Sequence, residues 1–366
     1  MKAGPTSDYK IYSTTHEAWD AMLVALRTAK KSIYWELYMI ADDQTGNEFF
    51  SILIDKVKAG VDVKLIVDYW GGIALSKKKI IELRSLGVDV RLFEDRKRRH
   101  LVWWGAFSSR THRKILIVDE QIGFIGGVNV RDFMRDWLDI HVRVEGKVVR
   151  SLLRSFAKSY IICGGEKQAV HHLLKYKFRV LHDDFDVVYD EPGFGKSRVR
   201  DQYLRALYRA RERVILFSPY YFPDHSFLKA LWQAKKRGVR VDLLIPFRSD
   251  LRLATLAAFA WFSLLRRAGV RIHFLHKMMH GKGLIVDDDW TMVGSSNIDQ
   301  LSFFLNHEAN LLTRNPRFVK IMKKIVMGWM ADAEMLEDKK WATRGRLSRF
   351  KEWFAVKLYR ILFKNR

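Results

Sequence analysis

Residues 112–129 and 280–297 spell one pattern twice, H-x-K-x4-D-x6-G-(G/S)-x-N, without a gap and at an offset of 168. A pattern of this length recurring in one chain marks duplicated structural units, and the flanking sequence repeats in step. A helical pattern over 18–31, with Trp19, Met22, Leu23 and Leu26 on one side, precedes an apolar strand at 32–40. Residues 201–213, with Tyr203, Leu204, Leu207 and Tyr208, precede the strand 214–222 in the same way. Helices that stop at Gly60 and Gly87 lead into strands 61–68 and 88–93, matching Gly238 and Gly269 with strands 239–246 and 270–275. Glycine closes a helix in the left-handed conformation that other residues resist. Helices alternating with single apolar strands predict an α/β protein of two similar α/β/α sandwich halves. The 366 residues suffice for two cores. We assign 1–175 to the first half, 176–337 to the second, and 338–366 to a separate tail.

The spacing within each copy has a mechanical reading. Side chains two apart on a strand share a face, so His112 and Lys114 point one way, as do His280 and Lys282. Strands at 116–118 and 284–286 lead to turns at Glu120-Gln121 and Asp288-Asp289. Return strands at 122–125 and 290–293 then bring Gly127, Asn129, Ser295 and Asn297 back to the histidine end. Gly127 and Ser295 are small enough to admit a phosphate to the backbone. Two imidazoles, two ammonium groups and two carboxamides converging on one place describe a phosphodiester site. Lys114 and Lys282 neutralise the non-bridging oxygens, and Asn129 and Asn297 donate hydrogen bonds to them. One histidine attacks phosphorus and forms a phosphohistidine; the other protonates the leaving alkoxide and then deprotonates the acceptor. Asp119 and Asp287 complete the candidate catalytic set. Their role is structural, or that of a carboxylate fixing a histidine tautomer, the aspartate of one half serving the histidine of the other. This chemistry calls for no metal and no cofactor.

The unrepeated parts bear on the partner. A net charge of +24 points to a polyanion, either nucleic acid or an anionic membrane. Gly87 precedes His112 by 25 residues and Gly269 precedes His280 by 11, so the first half carries an insert, 94–111, before its motif. The insert joins the basic run 96–99 to Trp103, Trp104 and Phe107, a composition suited to lipid headgroups or to a solvated basic loop. In 346–366, Leu347, Phe350, Trp353, Phe354, Leu358, Ile361 and Leu362 recur at helical spacing among Arg and Lys. Such a basic amphipathic helix anchors at an interface or docks on its own core. The run Leu253–Leu265 is shorter than the roughly 20 residues that span a bilayer. It is expected to be a helix buried against a sheet, the alternative being one that dips into headgroups. The polar 1–12 lacks the apolar core of a secretion signal, and the lone Cys163 permits no intrachain disulfide.

The paired motifs resemble those of the phospholipase D superfamily. Further segments resemble the bacterial cardiolipin synthases: Trp137-x-Asp139-x-His141, residues 218–223 (SPYYFP), Asn297-Ile-Asp299 and Asn306-His-Glu308-Ala-Asn310. The resemblance covers nearly the whole chain except the tail. It implies two phospholipase D-type α/β/α halves related by a pseudo-twofold axis, with the active site at their interface. It implies that Asp139, ten residues after Asn129, and Glu308, eleven after Asn297, are supporting carboxylates. It also implies transphosphatidylation, in which two phosphatidylglycerols give cardiolipin and glycerol, with His112 as nucleophile and His280 as acid and base. Gly281 and Gly283 depart from the bulkier residues of that family, which is expected to loosen the start of the second motif strand. The expected partner is phosphatidylglycerol at a membrane surface, on the cytoplasmic face of the bacterial inner membrane. Hydrolysis of phospholipid to phosphatidate and nuclease activity remain alternatives, the tail and insert favouring lipid over nucleic acid.

Overall fold

A computed structural model describes residues 8–94, 109–177, 184–192, 196–249 and 261–336, with Gly345 and Phe354. The tail, most of the 94–111 insert and residues 251–260 therefore lie outside the described residues.

The first half opens with β1 (Tyr9–Thr14), α1 (Thr15–Thr28), β2 (Ser32–Leu37), α2 (Gln44–Lys58) and β3 (Asp62–Asp68). It continues through α3 (Lys77–Ser85), β4 (Asp89–Phe93), β5 (Ile115–Val118), β6 (Ile122–Gly126) and β7 (Leu138–Glu145). Helix α4 (Val149–Ile162) and the single turn α5 (Lys167–Val170) follow. The second half repeats this order: β8 (Phe185–Asp190), α6 (Arg198–Arg209), β9 (Arg213–Phe217), α7 (His225–Lys236) and β10 (Arg240–Pro246). Then come α8 (261–267), β11 (Val270–Leu275), β12 (Gly283–Val286), β13 (Trp290–Gly294), β14 (Glu308–Thr313), α9 (Pro316–Ala331) and β15 (Glu334–Met335).

The two sheets have matching topologies. One runs β1-β7-β6-β5-β2-β3-β4; the other runs β8-β14-β13-β12-β9-β10-β11, with β15 added at its outer edge. Strands joined through helices (β2-β3-β4 and β9-β10-β11) are parallel, as such crossovers require, and the hairpin-linked strands are antiparallel. Gly60, Gly87, Gly238 and Gly269 all take φ between +81° and +94° after their helices. The expected glycine stops are present in both halves.

Amphipathic helices set the layers. In α1 the residues Ala18, Trp19, Met22, Leu23 and Leu26 are buried, a stripe at helical spacing. They pack with α2 and α3 residues on the outer face of the first sheet, and α6, α7 and α8 cover the outer face of the second. Trp261, Phe262 and Leu265 belong to this second outer core, so the described part of the 253–265 run packs against the sheet. Between the sheets lie α4 and α9, in one continuous core that joins Ile117, Val142 and Phe156 with Ile285, Leu311 and Met322. The halves are thus fused by apolar burial, and the loops at one end of both sheets are held against each other.

Strands β2 and β9 end earlier than their apolar runs suggest. Beyond Leu37 the chain crosses to the motif segment, where Ile40 bridges Val130; beyond Phe217 it does the same, where Tyr221 bridges Ile298. The apolar residues there serve a loop crossing, not the sheet ladder.

Candidate active site

The motif histidines sit where the halves meet, and the backbone holds them there reciprocally. His112 N donates to His307 O at 2.9 Å, and His280 N donates to Leu138 O at 2.6 Å. Each histidine is therefore paired with the residue preceding the other half's supporting carboxylate. The side chains follow. His112 Nδ1 lies 3.0 Å from Glu308 Oε1, and His280 Nδ1 lies 2.7 Å from Asp139 Oδ2. A carboxylate on Nδ1 fixes the tautomer that presents Nε2 to a reacting atom.

Burial governs the electrostatics. It pushes His112 down to about 4 against the pull of Glu308, with Lys114 and Lys282 pushing the same way. His280 is lowered by burial and by Lys282, against Asp139. Burial by itself raises Glu308 and Asp139, yet the facing histidine and lysine hold both below the ordinary carboxylate range. Both carboxylates are thus charged and both imidazoles neutral near pH 7. Lys114 is held well below the usual lysine range, first by burial and also by Lys282. Two buried ammonium groups acting on each other and on both histidines describe a place short of negative charge.

The lysines fold back on their own motifs. Lys114 Nζ donates to His112 O at 2.7 Å, and Lys282 Nζ to His280 O. Among the residues no spacing argument singled out, Tyr38 stands edge-on to His112 at 5.2 Å, with Lys114 Nζ 5.1 Å from its ring centroid. Trp137 tilts against His280 at 5.4 Å. These rings pack against the two histidines; they come from loops, which carry no periodicity to read.

Asn129 Oδ1 accepts from Met39 N at 3.2 Å, which orients its amide group. Asn297 is buried, and its Oδ1 has no hydrogen-bond partner. Gly127 and Ser295 also seat the two carboxylates. A Cβ on Gly127 would stand 2.2 Å from Asp139 Oδ1, so glycine is needed there to admit the carboxylate. Ser295 Oγ donates to Glu308 Oε2 and accepts from Ala309 N at 3.0 Å. Both small residues stand behind the supporting carboxylates, Gly127 leaving room for Asp139 and Ser295 donating to Glu308.

Asp119 and Asp287 take the structural one of the two roles expected of them. Asp119 accepts from the backbone N–H groups of Lys30, Lys31 and Ser32 at 2.6–3.0 Å. Asp287 accepts from those of Arg211, Glu212 and Arg213 at 2.6–2.9 Å. Each sits at the far end of its motif strand in a turn where Asp119, Glu120, Asp287 and Asp288 all have positive φ, which a short Asp side chain tolerates. They tie the hairpin to the helix–strand junction. The cross-half carboxylates are Glu308 and Asp139.

The residue between each motif's His and Lys separates the halves. Arg113 is buried and donates to Glu308 O, Ser159 Oγ and Asp190 O at 3.1–3.3 Å. Ser159 Oγ in turn donates to the buried Glu36 at 2.8 Å, and Thr111 Oγ1 to the same oxygen at 2.5 Å. In the second half Gly281 holds the Arg113 position. The expected loosening at Gly281 and Gly283 is absent: β12 begins at Gly283 as β5 begins at Ile115. A Cβ on Gly283 would stand 2.5 Å from the Phe217 ring, and Trp329 covers Gly281. Among the described residues, no group of three or more His, Cys, Asp or Glu could hold a metal ion.

Residues 22–158 and 203–328 match the family described as cardiolipin synthase, PLD-like domain. The chain belongs to that family. It is 29% identical to a probable cardiolipin synthase of Bacillus subtilis (strain 168) over 97% of this chain and 72% of that protein. It is also 29% identical to a cardiolipin synthase of Staphylococcus aureus (strain Mu50), over 97% of this chain and 74% of that one. Its fold is shared with a phosphatidylserine synthase of Haemophilus influenzae Rd KW20 at a TM-score of 0.73 and 14% identity, covering 96% of this chain and 92% of the other. A polyphosphate kinase of Porphyromonas gingivalis shares it at a TM-score of 0.62 and 13% identity, over 88% of this chain and 47% of the other. The phospholipase D-like α/β fold with two similar halves is the fold read from the duplicated motif.

Proposed function

We propose that this chain is a phosphatidyltransferase of the cardiolipin synthase type, joining two phosphatidylglycerols through a phosphohistidine. The observation that carries the reading is the reciprocal pairing of His112 with Glu308 and His280 with Asp139. Two imidazoles braced alike but from opposite halves can exchange roles across one phosphorus, as a double displacement requires.

On this reading the phosphodiester of the first lipid enters between Lys114 and Lys282. Its charge offsets the two ammonium groups, which are among the groups that depress both histidines. His280 then gains a proton with Asp139 beside it. Neutral His112 attacks phosphorus through Nε2, the P–O bond to glycerol breaks, and His280 passes its proton to the departing oxygen. The hydroxyl of a second phosphatidylglycerol takes the place of glycerol, His280 removes its proton, and its oxygen displaces His112. Asn129 and Asn297 donate to the non-bridging oxygens as charge develops there.

The partner on this reading is an anionic phospholipid surface, and we assign the chain to the periphery of the bacterial inner membrane, on its cytoplasmic face. The net charge of +24 supports this, and among the described residues no helix is long and apolar enough to cross a membrane. The test is product analysis with phosphatidylglycerol vesicles. Cardiolipin with free glycerol supports the transfer; phosphatidate alone makes the chain a hydrolase, and DNA cleavage with inert lipid discards both.

A further inference from the structure

Four large apolar side chains stand exposed on the loops that surround the site in the first half: Tyr69 at 50%, Trp70 at 41%, Ile73 at 79% and Phe133 at 52%. Three loops carry or separate them and are hydrogen-bonded side by side. Asp42 N donates to Ala74 O, Ala41 N to Val130 O, and Val130 N to Met39 O. The patch adjoins the chemistry. Phe133 packs on Trp137 at 5.3 Å, and Trp137 packs on His280; Tyr38, from the middle loop, packs on His112.

Cations frame this rim. The Arg110 guanidinium lies 5.6 Å from the Trp70 ring and that of Arg131 lies 4.9 Å from the Phe133 ring. Exposed Lys77 and Lys78 follow Ile73 at the start of α3. The nearby acids Asp43 and Asp132 accept from backbone amides, Asp132 while exposed. Asp43 accepts from Gly46 N and Asp132 N at 2.9 Å, and Asp132 accepts from Thr45 N at 2.8 Å. Asp136 adds a second exposed carboxylate beside Asp132.

We propose that this rim is the membrane-docking face of the chain, with Trp70, Ile73 and Phe133 entering the headgroup layer of an anionic bilayer. Aromatic and branched apolar groups ringed by Arg and Lys match the interface on both counts, since the rings partition to headgroup level and the cations meet lipid phosphate. The patch also adjoins both histidines, through Tyr38 on His112 and through Phe133 and Trp137 on His280. The proposal rests on the lipid reading of the site and names the surface that delivers the substrate to it.

The test is co-sedimentation of the full chain with vesicles of equal phosphatidylglycerol and phosphatidylcholine. Ile73→Asp and Phe133→Asp should each weaken partitioning by about tenfold or more, because a buried branched or aromatic group is replaced by a charge. Val24→Asp, an equally exposed apolar site on α1, should leave it unchanged. Wild-type partitioning to pure phosphatidylcholine should be weaker by a similar factor. Thermal unfolding of each variant separates lost docking from lost fold, and Ile73, as a fully surface side chain, keeps the test available if Phe133→Asp unfolds. Unchanged partitioning of Ile73→Asp, or a loss matched by Val24→Asp, overturns the proposal. Vesicle binding does not depend on turnover, so a chain that docks by this rim without making cardiolipin would refute the proposed reaction and leave the docking face standing.

Discussion

Arg113 and Gly281 hold the same place in the two motif copies, and the room filled by the arginine in one half is filled in the other by Trp329. The Trp329 ring comes to 3.2 Å from where a Cβ on Gly281 would stand, and it meets Phe217 edge-on at 6.3 Å. Phe217 in turn pairs with Gly283 as Glu36 pairs with Ile115. The strand behind His112 is thus backed by a buried polar network of Arg113, Ser159, Thr111 and Glu36, and the strand behind His280 by two aromatic rings. A buried charge must keep every partner, whereas packed rings need only shape.

Arg113→Met should therefore destabilise the protein by about 2–4 kcal/mol, because it strips hydrogen bonds from the carbonyls of Glu308 and Asp190 and removes a positive charge that opposes the burial of Glu36. Adding Glu36→Leu should recover part of that loss, since the second half shows that the same position works with apolar side chains. Urea unfolding of the two single variants and the double variant measures the coupling. Strictly additive losses would show that the two residues do not act as a unit.

Much of this was legible in the sequence, for physical reasons that can be named. The offset of the two motifs, the glycine stops and the helical stripe of α1 each express one period or one backbone constraint, and each is present. What a motif cannot encode is which half supplies a partner. Asp119 lies within the motif, so it reads either as structural or as the carboxylate on a histidine, and only the strand that carries it to the end opposite His112 decides between the two. Gly127 and Ser295 read as phosphate contacts because small residues admit anions; they also admit the chain's own Asp139 and Glu308, which the motif could not show. Tyr38 and Trp137 close the site from loops whose positions depend on the docking of two halves.

Replacing either motif histidine should abolish turnover, His112→Ala and His280→Ala each losing about 10³-fold or more. With lipid labelled in the phosphatidyl group, His280→Ala should retain label on the protein through an alkaline detergent quench, and His112→Ala should not. The reverse pattern would exchange the two roles. Full activity in either variant would refute the paired mechanism.

Glu308→Gln and Asp139→Asn keep the shapes of the side chains but lose the charge that fixes each imidazole tautomer. Each should lower kcat by about 10²–10⁴, by analogy with other carboxylate–histidine pairs. KM should move little, because neither carboxylate meets the substrate. A loss confined to KM would place these residues in binding instead.

The pH dependence follows from the depressed histidines. On the proposed mechanism His112 attacks in its neutral form, and burial pushes it down to about 4, so the acid limb of kcat/KM should fall near that value and well below the 6.5 of an ordinary histidine. Stability has the same sign. As pH falls through 6.5 the unfolded chain takes up a proton that buried His112 refuses until about 4. The folded state therefore loses up to about 3 kcal/mol across this window. Glu308 and Asp139, held below their ordinary values, add a further loss as pH falls below the carboxylate range of the unfolded chain. Denaturant midpoints between pH 7 and 4 check the slope, and a midpoint that rises on acidification would contradict it.

Asp119→Ala and Asp287→Ala separate the motif's structural carboxylates from its chemical groups. Each removes the acceptor of three backbone N–H groups at a turn whose positive φ values Ala resists. Burial opposes ionisation of Asp119, but those amides hold it below its ordinary value, so its charge is part of the turn. Each variant should lose about 2–3 kcal/mol of stability. The protein that remains folded should keep kcat within about threefold, because neither side chain approaches a reacting atom. Thermal unfolding and turnover measured well below the variant's midpoint read the two effects separately. A loss of kcat comparable to that of Glu308→Gln, in protein still folded, would return these aspartates to the catalytic set.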